Sequence, residues 1–214
     1  MNMDDVIERP TLDVRHLPPI AFDAKSTLWW GNLLGLFIET AMFGILIAIY
    51  VTVAMNTDPF PPIRSDRLPV IRDSVPDMFL PTIGLIVLLV SLIPGIWLDI
   101  SARKRDVGAI KIALPLTLAF NVAAFFIRYY EFDSLHFKWN DNAYGSITWM
   151  LLGMHMLHII VLGIEDIYLI VWTFAKGIDD KHALDLTVTA VYWYWIVGMW
   201  LLLFPIIYLT PRLI

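Results

Sequence analysis

Five long apolar stretches, separated by short polar segments, constrain this 214-residue chain more than any other feature of its sequence. A helix needs about 20 mostly apolar residues, at about 1.5 Å of rise each, to cross a hydrocarbon core about 30 Å thick. The stretches that reach this length are residues 29–55, 79–100, 109–130, 146–175 and 186–209. They predict an all-α polytopic membrane protein, a bundle of five transmembrane helices.

The composition agrees with a chain that exposes apolar side chains to lipid. Hydrophobic residues make up 58% of the sequence and charged residues 16%, whereas soluble domains average about 45–50% and about 25%. The net charge of −5 is modest and no basic stripe occurs, so nucleic acid is not an expected partner. The lack of cysteine excludes a disulfide scaffold, an iron–sulfur centre and any thiolate metal site.

Polar segments divide the chain into a tail, a membrane domain and a short end. We expect an N-terminal tail over residues 1–28, a membrane domain over residues 29–209 and a C-terminal tail over residues 210–214. Residues 56–77 are rich in proline and predict an outer loop without helix. Lys and Arg concentrate in the N-terminal tail and after the second and fourth spans, which predicts the N-terminus inside and the C-terminus outside.

Several ionisable side chains fall inside the predicted spans, where a charge is costly. They are Glu39 on the first span and His155, His158 and Glu165 on the fourth, with Asp166 beside the last. At ordinary helical rise, Glu39 lies roughly 15 Å from the inner surface and both histidines lie roughly 14–18 Å from the outer surface, so all three are near the membrane midplane. Glu165 lies nearer the inner surface. The spacing places the fourth-span residues on one stripe. We expect a buried polar cluster in which Glu39 is protonated or hydrogen-bonded to a partner such as a histidine.

The residues alone leave three interpretations of this cluster. A haem usually needs axial histidines from two facing helices, and a metal ion needs three or four ligands. The other histidines, His16, His136 and His182, fall in predicted tails or loops, so the ligand count disfavours a cofactor site. A proton relay through buried carboxyls and imidazoles is the second interpretation. The third, which we favour, is a hydrogen-bonded cluster that fixes helix packing or holds a lipid headgroup.

Short motifs occur in an order and spacing that a known family shares. They are residues 37–43 around Glu39, residues 102–106, 129–131, 143–146 and 153–158, and residues 191–194 followed by Trp200. Over residues 29–209 the chain resembles the cytochrome c oxidase subunit III family of the haem–copper terminal oxidases, in its five-helix form. The aromatic motif of the last helix usually ends in histidine, where this chain has Tyr194.

This resemblance implies a non-catalytic subunit of a proton-pumping respiratory oxidase that reduces oxygen to water. Haem and copper would then belong to partner subunits, with none in this chain, and bound phospholipid is expected. Family members pack against subunit I, protect it during turnover and sustain its proton uptake. The expected location is the bacterial plasma or inner membrane, beside subunits I and II and other subunits of a respiratory complex.

The resemblance also carries roles over to particular residues. Glu39, His155 and His158 match buried polar positions of the family, and we group Glu165 with them as proton-related. The expected lipid-binding or packing residues are Arg103, Lys104, Arg105, Arg128, Glu131, Tyr144, Trp193 and Trp200. Lipid phosphates are expected around Arg103–Arg105 and at Arg128 in particular.

Two other functions stay open at this point. The chain could be a subunit III-like accessory protein of a nitric oxide reductase. It could also be an independent membrane haem protein or a proton transporter. The electron donor of an oxidase complex, cytochrome c or quinol, is not specified by this sequence.

Overall fold

Five long helices form the bundle. A computed structural model describes residues 22–62 and 74–214, and within these ranges the regular structure is helical, with no strand. The long helices are α1 (Thr27–Met55), α2 (Phe79–Lys104), α3 (Val107–Ser134), α4 (Ala143–Lys176) and α5 (Asp180–Phe204). All are long and apolar enough to cross a membrane, which confirms the predicted fold class. The predicted tail covered residues 1–28, of which residues 1–21 lie outside the described residues, as does the centre of the proline-rich loop, residues 63–73.

Side-chain caps fix where four of these helices begin. In each, the side-chain oxygen of the residue before the helix accepts a backbone N–H of the first turn. The capping residues are Ser26 for α1, Asp106 for α3, Asn142 for α4 and Asp179 for α5. Since each stands directly before a helical run, the sequence itself sets these starts.

The predicted spans leave a loop over residues 101–108 between the second and third helices. The observed link between α2 and α3 is shorter than this predicted loop. Helix α2 continues through Arg103 and Lys104, because cations are favourable near a helix C-terminus. Arg105 then takes a left-handed conformation (φ 54°) that ends the helix, and Asp106 caps α3. Arg103 and Lys104 therefore lie on the ordered last turn of α2, and Arg105 directly follows it.

Helix α1 lies at the edge of the bundle, and α4 and α5 lie in its interior. Helix α2 packs against α3 and α5, α3 packs against α4, and α1 packs against α4 and α5. Only 17% of the most apolar part of α1 is buried, compared with 44% for α4 and for the last span. Much of the apolar surface of α1 therefore faces lipid or a partner.

Helices α3 and α4 approach closely at a glycine. The side-chain amide of Asn121 on α3 donates a hydrogen bond to the carbonyl oxygen of Ile159 on α4 at 3.0 Å. Its Oδ1 lies 2.9 Å from the place that a Cβ on Gly163 would occupy. The absence of a side chain at Gly163 allows the buried amide to reach the neighbouring backbone.

The last span changes its geometry at Pro205. Helix α5 ends at Phe204, a π-helical turn follows over Pro205–Leu209, and a short helix, α6, covers Thr210–Leu213. Proline has no N–H to continue the α-helical hydrogen bonds. Tyr208 lies within this turn and is completely buried.

Candidate functional site

Glu39 on α1 meets His158 on α4. The two side chains approach to 3.3 Å between Glu39 Oε2 and His158 Nε2, and the His158 side chain is 7% exposed. The other ring nitrogen, Nδ1, lies 2.6 Å from the carbonyl oxygen of Met154 and must donate to it, because a carbonyl oxygen only accepts. An attractive contact with Glu39 then requires one proton between Nε2 and Oε2. Glu39 was expected to be buried and paired with a histidine; it lies beside His158, and its side chain is 38% exposed.

Aromatic rings enclose this contact. The rings of Trp195 and His158 are 4.9 Å apart, and that of Phe43 is 5.6 Å from the imidazole. The indole N–H of Trp195 donates to Thr40 Oγ1 on α1 at 2.8 Å. A second polar contact thus joins α1 to the bundle beside the first.

His155 faces away from α1, toward α3 and α5. It is 1% exposed, and its Nε2 donates to the carbonyl oxygen of Ile196 at 3.0 Å. Its Nδ1 lies 3.4 Å from Arg128 Nη2, which can only donate. These partners select the imidazole with the proton on Nε2 and occupy the lone pair on Nδ1.

Arg128 and Glu131 on α3 form a buried ion pair. Nη1 of Arg128 lies 2.6 Å from Oε2 of Glu131, and the two side chains are 4% and 2% exposed. The guanidinium carbon lies 3.6 Å from the ring centre of Trp200, a favourable cation–π geometry. The hydroxyl of Tyr208 donates to the other oxygen of Glu131. Arg128 was expected to bind lipid phosphate or to pack, and its interior position is that of a packing residue.

Glu165 and Asp166 lie apart from both histidines. Glu165 accepts a hydrogen bond from Thr189 of α5 at 3.0 Å. Asp166 is 0% exposed, and neither of its carboxyl oxygens has a hydrogen-bond partner in the part of the chain that the structure describes. Seven residues of helix, about 10 Å of rise, separate Glu165 from His158. The residues of this stripe were expected to form one cluster, but they lie in separate places and do not share contacts.

The remaining expected residues fall into two groups. The basic ones lie at the surface, where Arg103 pairs with Asp99 at 3.0 Å and Arg105 with Asp180 at 2.8 Å, and where Lys104 is also exposed. The aromatic ones lie in the interior and are at most 1% exposed: Tyr144, Trp193 and Trp200. The surface group can meet lipid headgroups, whereas the interior group packs helices together.

Sequence reasoning did not find some of the polar contacts. Tyr208 was hidden among apolar residues of the last span, and Ser91, which accepts from the indole N–H of Trp193 at 2.9 Å, is an ordinary polar residue of a membrane helix. The spacing of Arg128 and Glu131, three residues apart on one helix, was the signal available for the ion pair. No sequence pattern indicated the partners on other helices.

The fold and these contacts together define a class of protein. It is an integral membrane protein with five spanning helices, and the histidines inside its spans contact other groups of the protein. Among the described residues, no group of three His, Cys, Asp or Glu side chains could hold a metal ion. The family model for cytochrome c oxidase subunit III matches residues 2–211. The chain belongs to the cytochrome c oxidase subunit III family.

Curated proteins of the same kind resemble the chain over most of its length. Cytochrome c oxidase subunit 3 of Thermostichus vulcanus is 24% identical over 85% of this chain and 87% of its own. The probable cytochrome c oxidase subunit 3 of Rickettsia bellii is 26% identical over 96% of this chain and 75% of its own. Cytochrome c oxidase subunit 3 of Tragelaphus imberbis is 26% identical over 95% of this chain and 76% of its own. Membership of this family makes the chain part of a respiratory oxidase complex.

Proposed function

We propose that the chain is the non-catalytic third subunit of a proton-pumping haem–copper oxidase, in which other subunits reduce oxygen to water. The observation that carries this proposal is the family match over residues 2–211. Haem and copper would then reside in partner subunits I and II. The engagement of both in-span histidines by other protein groups supports a packing role for them in this chain.

The polar contacts would act as a scaffold for the complex. The Glu39–His158 contact attaches α1, the least buried helix, to α4. The buried pair on α3, together with Tyr208, joins α3 to the last span. Since the surrounding protein excludes water from most of these groups, these contacts would hold the helices in fixed positions. A fixed surface of this kind would stabilise subunit I during turnover.

Lipid binding and proton uptake form the second part of the proposal. The exposed apolar face of α1 would meet phospholipid or a neighbouring subunit, and the basic end of α2 would meet lipid phosphates. With the N-terminus inside the bacterial plasma membrane and the C-terminus outside, Arg103, Lys104 and Arg105 would lie on the side from which protons enter. From there the chain would support proton uptake by subunit I.

Purification of the tagged full-length chain from its native membrane tests this function. Mass spectrometry should identify oxidase subunits I and II as stoichiometric partners, and the absorbance spectrum of the complex should show haem. After the subunits are separated, the haem should remain with subunit I. Co-purification with a nitric oxide reductase, or haem that stays with the isolated chain, would overturn the proposal.

A further inference from the structure

A recess lined by aromatic rings lies between the end of α3 and the start of α4. It is a cavity of about 340 Å³ lined by Tyr129, Phe132, Asp133 and Trp149. Three rings and one carboxylate thus surround a single space. None of these four side chains belongs to the histidine or ion-pair contacts described above.

The walls of this recess are preformed. Tyr129, Phe132 and Asp133 follow one another at helical spacing on α3 and share one face. Trp149 faces them from α4, with its ring centre 4.8 Å from that of Phe132. Its indole N–H donates to the carbonyl oxygen of Phe137 at 3.1 Å. Because that N–H is already engaged, the indole offers the cavity its ring surface and no donor.

The charge in the recess favours a cation. The Asp133 side chain is exposed and has no hydrogen bond or ion pair with another described residue. The faces of aromatic rings carry negative potential and attract organic ammonium groups, as a carboxylate does. An anionic group such as the phosphate of phosphatidylglycerol would meet repulsion at Asp133.

The recess lies within about two turns of the end of α3 and of the start of α4. Tyr129 is about 8 Å of helical rise from the end of α3, and Trp149 is about 9 Å from the start of α4. Aromatic residues concentrate in this zone because the membrane there is partly polar. An ammonium group attached to a lipid is present at the same level.

We propose that this recess binds the ammonium headgroup of a zwitterionic phospholipid, such as phosphatidylethanolamine. The ammonium group lies against Tyr129, Phe132 and Trp149, and its charge is balanced by Asp133. This inference rests on the lipid-binding role proposed above and assigns it a headgroup class and a site. It predicts selection for amine lipids over anionic ones at this end of the bundle.

Native mass spectrometry of the tagged full-length chain, extracted from bilayers of equal parts phosphatidylethanolamine and phosphatidylglycerol, tests the proposal. The wild-type chain should retain phosphatidylethanolamine in preference. Asp133→Asn and Tyr129→Leu should lower that preference about fivefold, because each removes part of the cation site. Asp77→Asn and Phe79→Leu are matched controls, since both residues are exposed at the same end of the bundle and outside the recess, and they should leave the preference unchanged.

Two results would overturn the proposal. One is an unchanged lipid preference in Asp133→Asn, and the other is equal retention of the two lipids by the wild-type chain. Since lipid is counted per tagged chain, failure to co-purify with an oxidase would count against the proposed function and leave this measurement intact.

Discussion

At the scale of single residues, the interior of this bundle depends on polar groups that have each other as partners. Arg128 and Glu131 are both almost completely buried, and each is also held by a group from the last span. Removing one member of such a pair leaves a charge without compensation in a medium of low dielectric constant. Removing both leaves a smaller, apolar defect. This difference gives a direct test of the pair.

Arg128→Met should lower the stability of the chain by about 3–5 kcal/mol, because it leaves Glu131 buried without its cation. The double variant Arg128→Met/Glu131→Leu should recover part of this loss. Arg105→Met, which removes an exposed ion pair with Asp180, should cost at most about 1 kcal/mol. Thermal denaturation in detergent measures all three variants. A double variant less stable than Arg128→Met would contradict a compensating role of the pair.

Gly163→Ala should destabilise the contact between α3 and α4 by about 1–3 kcal/mol, because the new Cβ would lie 2.9 Å from Asn121 Oδ1. Gly153→Ala, on the same helix, is the matched control, since no atom lies within 4 Å of its added Cβ. That variant should be neutral or stabilise the helix by up to about 1 kcal/mol. The same denaturation assay compares them, and equal effects would argue against a close approach at Gly163.

At the scale of the helices, most of the fold could be predicted because a membrane span depends on local composition. The predicted spans over residues 29–55 and 79–100 begin within a few residues of the observed α1 and α2. The extension of α2 through Lys104 was missed, because polar residues at a helix end resemble a loop in composition. The left-handed residue Arg105, which ends the helix, has no sequence signature as clear as a glycine.

The start of α5 should respond to acid. The backbone N–H of His182 donates a hydrogen bond to the Asp179 side chain, and a ring nitrogen of His182 donates another. These hydrogen bonds lower the pKa of the Asp179 carboxyl. A lowered folded-state pKa means that the stabilisation is complete above the ordinary carboxyl pKa of about 4 and is lost as pH falls through the lowered value. Amide hydrogen exchange at the first turn of α5 should therefore rise in acid, relative to the first turn of α4, which Asn142 caps without titrating.

Asp179→Asn is the control for this prediction, because asparagine caps a helix as well as aspartate and does not titrate in this range. Its first turn should keep the same protection relative to α4 at every pH. Asp179→Ala should exchange fast throughout. An acid response in Asp179→Asn equal to that of the wild-type chain would assign the effect to another group.

At the scale of the whole molecule, polar contacts compensate for the small buried surface of α1. Helical depth alone predicted that Glu39 and the histidines would lie at a similar level, and one histidine does meet Glu39. The contacts of His155 with Arg128 and of Glu131 with Tyr208 could not be predicted, because they depend on how three helices pack. Sequence periodicity gives the depth and face of a residue on its own helix and does not identify the neighbouring helix.

The double variant Glu39→Ala/His158→Ala should leave the initial rate of oxygen consumption by the intact complex nearly unchanged. It should shorten the active lifetime of the enzyme and reduce bound lipid, because α1 loses a polar contact inside its span that contributes about 1–3 kcal/mol. Oxygen consumption followed over many turnovers, with lipid quantified after purification, measures both effects.

Leu157→Ala/Val161→Ala is the control for this variant, since both side chains are exposed on α4 and lie outside the apolar face of α1. It should keep the wild-type lifetime. Immediate loss of oxygen reduction in a normally assembled Glu39→Ala/His158→Ala complex would show that the contact takes part in the reaction itself and would refute the scaffold role.

The close pairing of Arg128 with Glu131 has an electrical consequence. A respiratory membrane holds a voltage, and moving one elementary charge through 100 mV changes its energy by about 2.3 kcal/mol. Two opposite charges 2.6 Å apart that move together experience almost no net force from that field. This buried pair can therefore keep its position while the potential across the membrane rises and falls.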